Sequence, residues 1–135
     1  MLFRSLDASE LGTNTITLGT GTWTVTGNVS DVNALTSTTD GGIDTLVVED
    51  TAANINTANF GTGNIADVDT INSSGTSTDA LSLDASELGT NTITLGKGTF
   101  TVTGNVSDVN ALTSTTDGGI NTLVVEDTEI GRAHV

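Results

Sequence analysis

The chain carries nearly the same stretch twice. Residues 6–51 read LDASELGTNTITLGTGTWTVTGNVSDVNALTSTTDGGIDTLVVEDT, and residues 83–128 repeat them 77 positions later. Only three pairs differ: Thr20 with Lys97, Trp23 with Phe100, and Asp44 with Asn121. Two copies this similar must find similar surroundings. An array whose units touch only their neighbours provides that, whereas a closed globular fold would ask each copy for different contacts. The reading divides the chain into a first unit, residues 6–81, and a partial second unit, residues 82–128. A finer echo, IDTLVV at residues 43–48 and VDTINS at 68–73, lies 25 positions apart inside the unit.

The two ends stand apart from this pattern. Glu129 to Val135 reads EIGRAHV, and residues 2–5 read LFRS. One coding sequence for LFRS has the reverse complement AGATCGGAAGAG, a string that also encodes part of the C-terminal segment. Both resemble translated short-read sequencing adapter, so residues 1–5 and 129–135 are set outside the native repeat. On this reading Met1 is not a native start, and the absence of an export or anchoring signal from these residues carries no information.

Without the ends, Lys97 is the only basic residue, against sixteen acids, and the whole chain has a net charge of −14. Such a surface repels nucleic acid and anionic membranes, whose binding depends on Lys and Arg meeting phosphate. It attracts cations instead. The chain has no Cys, which removes disulfide and thiolate–metal chemistry, and no Pro.

Strand signals dominate. In TWTVT, Trp23 and Val25 face one way and Thr22, Thr24 and Thr26 the other, the period of a half-buried strand. TNTITL repeats it with Ile16 and Leu18 inward, and IDTLVVED buries Ile43, Leu46 and Val48. DASEL, VSDVNAL and DTAANI are short enough for single helical turns, with Asp, Ser or Thr available as caps. The expectation is an all-β fold: a parallel β-solenoid, β-helix-like, with short helical corners and aliphatic columns inside. The alternative is a row of Ig-like β-sandwich modules. On the solenoid expectation, Leu123→Asp should disrupt the array by placing an unpaired carboxylate in the core.

DTLVVEDTAANI, followed by DVDTINSS and ALSLDASEL, resembles the β-strand repeats of very large bacterial surface and exported proteins of adhesin-like type. The resemblance covers most of residues 6–128 through loose motifs. It implies a structural or adhesive role at the cell surface or outside the cell, without catalysis. DGGIDTLVV also resembles a contracted calcium-binding repeat of the RTX type, with Gly41, Gly42, Asp44 and Leu46 in matching places.

Candidate chemistry is sparse. Outside the ends there is no His, and Lys97 is absent from the first copy. Glu49 and Asp50 are adjacent on a strand and point to opposite faces, while Asp67 and Asp69 share one. No catalytic residue is assigned. Calcium is the one candidate cofactor, since Asp oxygens and turn carbonyls suit it, with Asp40, Asp44, Asp67 and Asp69 as candidate ligands. The expected partners are neighbouring repeats of the same chain and an extracellular ligand, with neither nucleic acid nor direct membrane insertion. The functional expectation is a structural, adhesive repeat segment of a large extracellular bacterial surface protein. The alternative is a calcium-dependent binding module of an RTX-like exported protein.

Overall fold

Short alternating segments separated by Gly, Asn and Asp become strands only when a neighbour supplies the other half of the hydrogen-bond ladder. In this chain each strand finds that neighbour one or two strands away along the sequence. The structure is a computed structural model that describes residues 3–36, 42–89, 91–113, 116 and 118–127. In chain order its elements are β1 (Phe3–Asp7), α1 (Ala8–Leu11), β2 (Thr22–Gly27), α2 (Val29–Asn33), β3 (Thr45–Asp50) and α3 (Ala52–Thr57). A 3₁₀ turn (Asn64–Asp67) and β4 (Thr70–Ser73) follow. The second copy then contributes β5 (Ala80–Asp84), α4 (Ala85–Leu88), β6 (Thr94–Leu95), β7 (Thr99–Gly104), α5 (Val106–Ala111) and β8 (Thr122–Val125).

Every described strand pair is parallel. One five-stranded sheet runs β1-β2-β3-β4-β6, and a three-stranded sheet runs β5-β7-β8. The architecture is mixed α/β, 27% helical and 32% strand, with helices between the strands and no closed solenoid. This overturns the all-β expectation and the β-solenoid with it. The Ig-like sandwich fails too, because its sheets would be antiparallel. The physical reason is the crossover. Parallel neighbours need a connection back to the same edge, and short helices make several of these connections.

The helices form because each has a side-chain cap. Asp7 accepts the Ser9 N–H at 2.8 Å, Asn28 that of Asp31 at 2.8 Å, and Thr51 that of Asn54 at 3.3 Å. Asp84 and Asn105 repeat the first two caps in the second copy. Helices α1 and α4 stop at Gly12 and Gly89, both at φ +54°, a conformation that favours glycine.

The register stacks apolar side chains into columns. Leu6, Val25 and Leu46 align across β1, β2 and β3. Val48, Ile71 and Leu95 align across β3, β4 and β6, and Leu83, Val102 and Leu123 across β5, β7 and β8. With Phe60, Ile65 and Phe100 they belong to one core that runs through both copies, apart from the exposed Leu123. Each fully buried aliphatic side chain contributes about 1.5–3 kcal/mol. Helices sit close on the strands: a Cβ at Gly27 would lie 2.5 Å from the Ala8 Cβ, and one at Gly104 would lie 2.6 Å from the Ala85 Cβ.

Leu123 and Val125 are 41% exposed, whereas their counterparts Leu46 and Val48 are 2% and 0% exposed. The core assignment of Leu123 is therefore corrected. β3 is paired with β4 on the side away from β2, whereas β8 ends its sheet. Residues 3–5 pair with β2, so the strand extends into the segment assigned to adapter.

Candidate functional site

The most regular polar feature is a ladder of Asp and Asn side chains that complete strand ends. Asp44 sits just before β3. Its carboxylate accepts the Trp23 N–H at 2.7 Å, and its own N–H donates to the Trp23 carbonyl at 3.0 Å. Asp69 does the same before β4, accepting from the Leu46 N–H at 2.8 Å and donating to the Leu46 carbonyl at 2.8 Å. Asn121 repeats it before β8, accepting from Phe100 at 2.7 Å and donating at 2.9 Å. Each residue thus closes a two-bond ring with the preceding strand. The ring needs an acceptor oxygen rather than a charge, which explains why Asn121 can stand where the first copy has Asp44.

Two further asparagines serve the junction between the copies. Asn56 on α3 accepts the Ser82 N–H at 2.7 Å and donates to the Ala80 carbonyl at 3.2 Å. Asn72 on β4 accepts the Lys97 N–H at 2.8 Å. Sequence reading missed both. The echo between IDTLVV and VDTINS signals only the ladder role that Asp44 and Asp69 share.

Asp50 closes β3 and is 7% exposed. Burial would raise its pKa. The Asn54 side chain at 2.8 Å, the Val29 N–H at 3.0 Å and the Thr51 N–H at 2.7 Å together outweigh burial and hold the carboxyl below its ordinary value. Asp79 is also held low, by the Ser73 hydroxyl first and then by the Thr76 hydroxyl and N–H. Asp7 is held low by the Ser9 hydroxyl and N–H. Thr116, fully buried, ties three groups together: its hydroxyl accepts the Ile93 N–H and faces the Asn91 and Ile93 carbonyls at 3.1 Å. No buried side-chain polar atom among the described residues lacks a partner.

Three of the four candidate calcium ligands, Asp44, Asp67 and Asp69, lie among the described residues. Asp67, which ends the 3₁₀ turn rather than lying on a strand, and Asp69 line one shallow recess of about 210 Å³ together with Asn91 and Thr92. Asp44 stands at the start of a different strand, β3, and Asp40 lies outside the described residues. Among the described residues, no three His, Cys, Asp or Glu side chains come together as a metal-holding group. Glu49 is exposed on β3, while its neighbour Asp50 is buried, on opposite faces as strand geometry requires. No helix among the described residues is long and apolar enough to cross a membrane.

An open groove of about 740 Å³ lies beside β1 and β2, walled by Arg4, Leu6, Leu11, Ile16, Leu18 and Trp23. The Arg4 guanidinium lies 5.1 Å from the centroid of the Trp23 ring, within cation–π range. The indole N–H of Trp23 donates to the Gly19 carbonyl at 2.9 Å. The groove walls are mainly apolar, with Ser5, Thr17 and Thr20 contributing hydroxyls.

Nothing matched. Comparisons with protein-family models, with curated proteins and with solved structures each returned no match. Neither they nor the fold supports a secreted, adhesive or calcium-binding assignment.

Proposed function

We propose that this chain is a segment of a structural repeat array on the outside of a bacterial cell, in which neighbouring units are one another's principal partners. One observation carries the reading. Residues 52–79 join the end of the first copy to the start of the second through backbone ladder, side-chain and core contacts at once. β4 pairs with β3 on one side and with β6 on the other. Phe60, Ile65 and Ile71 are buried in the core shared by both copies. A unit of this kind gains much of its burial from its neighbours, as units of linear arrays do.

Two further features support the reading. The side of the strands opposite the core presents hydroxyls in register, with Ser5, Thr24 and Thr45 aligned in one copy and Ser82, Thr101 and Thr122 in the other. The charge of −14 favours solubility and repulsion from phosphate-bearing partners. The extracellular placement rests on the resemblance of DTLVVEDTAANI and its flanks to surface-protein repeats.

The reading is tested with chains of two, three and four complete units. Unfolding free energy should climb by a similar increment per added unit, and the radius of gyration should grow in proportion to length. Melting with calcium and with a chelator should differ little. Stability independent of unit number would overturn the reading. A large upward shift in Tm with calcium would favour the calcium-dependent module instead.

A further inference from the structure

We propose that the groove beside Trp23 is a docking face for one occupant: a segment with the sequence of residues 52–79, carried by a unit that precedes Leu6. The proposal rests on the array reading and deepens it by assigning the receiving residues.

In the second copy the same face is already occupied. The groove walls Arg4, Leu6, Leu11, Ile16, Leu18 and Trp23 correspond to Leu81, Leu83, Leu88, Ile93, Leu95 and Phe100. All six of these counterparts are buried. In the first copy Leu6, Ile16 and Leu18 are only half-buried and Arg4 is exposed. The sequences scarcely differ, so the missing burial measures a missing neighbour.

What covers the second copy is residues 52–79. The Phe60 N–H donates to the Glu87 carboxylate at 3.2 Å, and Glu87 corresponds to Glu10. The Asn56 amide brackets Ser82 and Ala80, whose counterparts are Ser5 and Phe3. Three backbone donors of the second copy end on the segment: Thr94 on the Asp69 carbonyl at 2.8 Å, Gly96 on the Ile71 carbonyl at 3.0 Å, and Lys97 on the Asn72 side chain at 2.8 Å. The Ser73 N–H returns a bond to the Lys97 carbonyl at 2.7 Å. The counterpart donors are Thr17, Gly19 and Thr20, and no strand pairs with them among the described residues. β6 is a strand because β4 lies beside it. The same TITL sequence around Thr17 and Leu18 is not a strand in the first copy.

Arg4 marks the same face from the other side. Its counterpart Leu81 is buried against the second copy, and Arg4 instead lies over the Trp23 ring. An occupied face therefore calls for Leu at this position, as the native ALSLD provides.

The test extends the whole chain. Residues 52–82 are duplicated ahead of Leu6 in place of residues 1–5, so that Leu replaces Arg4. A matched chain carries Asp in the added copies of Phe60, Ile65 and Ile71. Amide hydrogen exchange is read at Thr17, Gly19 and Thr20, and acrylamide quenching at Trp23, the only tryptophan. The native extension should slow exchange at the three amides at least tenfold, towards that of Thr94, Gly96 and Lys97, and reduce quenching. The Asp extension should do neither. Equal protection by both extensions, protection by neither, or lost protection in β2 and β3 would each overturn the proposal. So would concentration-dependent shielding of Trp23 in the unextended chain, which would assign the groove to a second copy. A complete unit added after Thr128 separates the two readings. If it stabilises the chain while the N-terminal extension does not, the docking proposal falls and the array stands; if neither stabilises, both fall.

Discussion

Leu46 and Leu123 occupy the same place in two stretches that differ at only three positions, yet Leu46 is 2% exposed and Leu123 is 41% exposed. The difference is repeated in reverse at the other end. Leu83, Ile93 and Leu95 of the second copy are buried, and their first-copy counterparts Leu6, Ile16 and Leu18 are half-buried. The first copy is closed at its β3 side and the second at its β5–β6 side, each by the same residues 52–79. The value of a side chain here is therefore set by its place in the stack rather than by its local sequence. Where no neighbour is involved the copies agree: both have the Asp-capped helix, the Gly stop at φ +54°, and the strand glycine against an alanine.

The sharpest way to break this comparison is to place the same charge at both equivalent positions. Leu46→Asp leaves an unpaired carboxylate inside the covered column and should cost more than about 4 kcal/mol. Leu123→Asp, on an exposed strand, should cost under about 1 kcal/mol. Denaturant unfolding of the two variants checks this, and equal costs would mean that both ends are covered alike. Adding a complete unit after residue 128 should then make Leu123→Asp as damaging as Leu46→Asp.

The unequal exposure also explains which parts of the molecule could be read from residues alone. The alternation of TWTVT is local, and Trp23 and Val25 point inward as the pattern requires. Leu46 and Val48 do so too, and all three short helical pieces are helices. Their caps were harder to place. VSDVNAL is capped by Asn28, outside the piece, rather than by its own Ser, while the AANINT helix is capped by the Thr of DTAANI, Thr51. The class was misjudged because helices of four to six residues are too short to show a 3.6-residue period. Burial of Leu123 could not be read from its sequence, because identical residues at Leu46 are buried by a segment outside the copy. What the sequence did not show of the acidic candidates is their ladder role: one oxygen of Asp44 accepts the Trp23 N–H and one oxygen of Asp69 the Leu46 N–H, each in the strand before it.

A smaller effect sharpens the comparison at that ladder. Asp44→Ala removes the acceptor for the Trp23 N–H and should cost about 1–2 kcal/mol. Asp44→Asn should cost under about 0.5 kcal/mol, because the second copy makes the same ring with Asn121 at 2.7 Å. Asn121→Asp is the reciprocal change and should be equally mild. Thermal or urea unfolding of the three variants is sufficient. A large loss in Asp44→Asn would show that the carboxylate's charge matters at this position, and would return Asp44 to consideration as a cation ligand.

The smallest effect concerns acid. Asp50 ends β3 inside the stack, receiving donors from Asn54, Val29 and Thr51, while its counterpart Asp127 follows β8 at the open end and accepts the Val106 N–H at the longer distance of 3.4 Å. The Asp50 carboxyl titrates below its ordinary value in the folded chain despite partial burial. Its contribution is therefore complete above the unfolded carboxylate pKa, about 3.9, and is lost as pH falls through the lower folded value. Asp50→Asn gives up that contribution at neutral pH and should flatten the stability profile below about pH 4 relative to the parent. At pH 7, Asp127→Asn should lose less stability than Asp50→Asn, because only the first-copy residue lies within a covered junction. Urea unfolding of the parent and both variants across the acid range reads each effect. An Asp50→Asn profile parallel to the parent's at every pH would mean that the Asn54, Val29 and Thr51 donors do not favour the ionised carboxyl. The difference between the two ends of the stack would then lie in apolar burial alone.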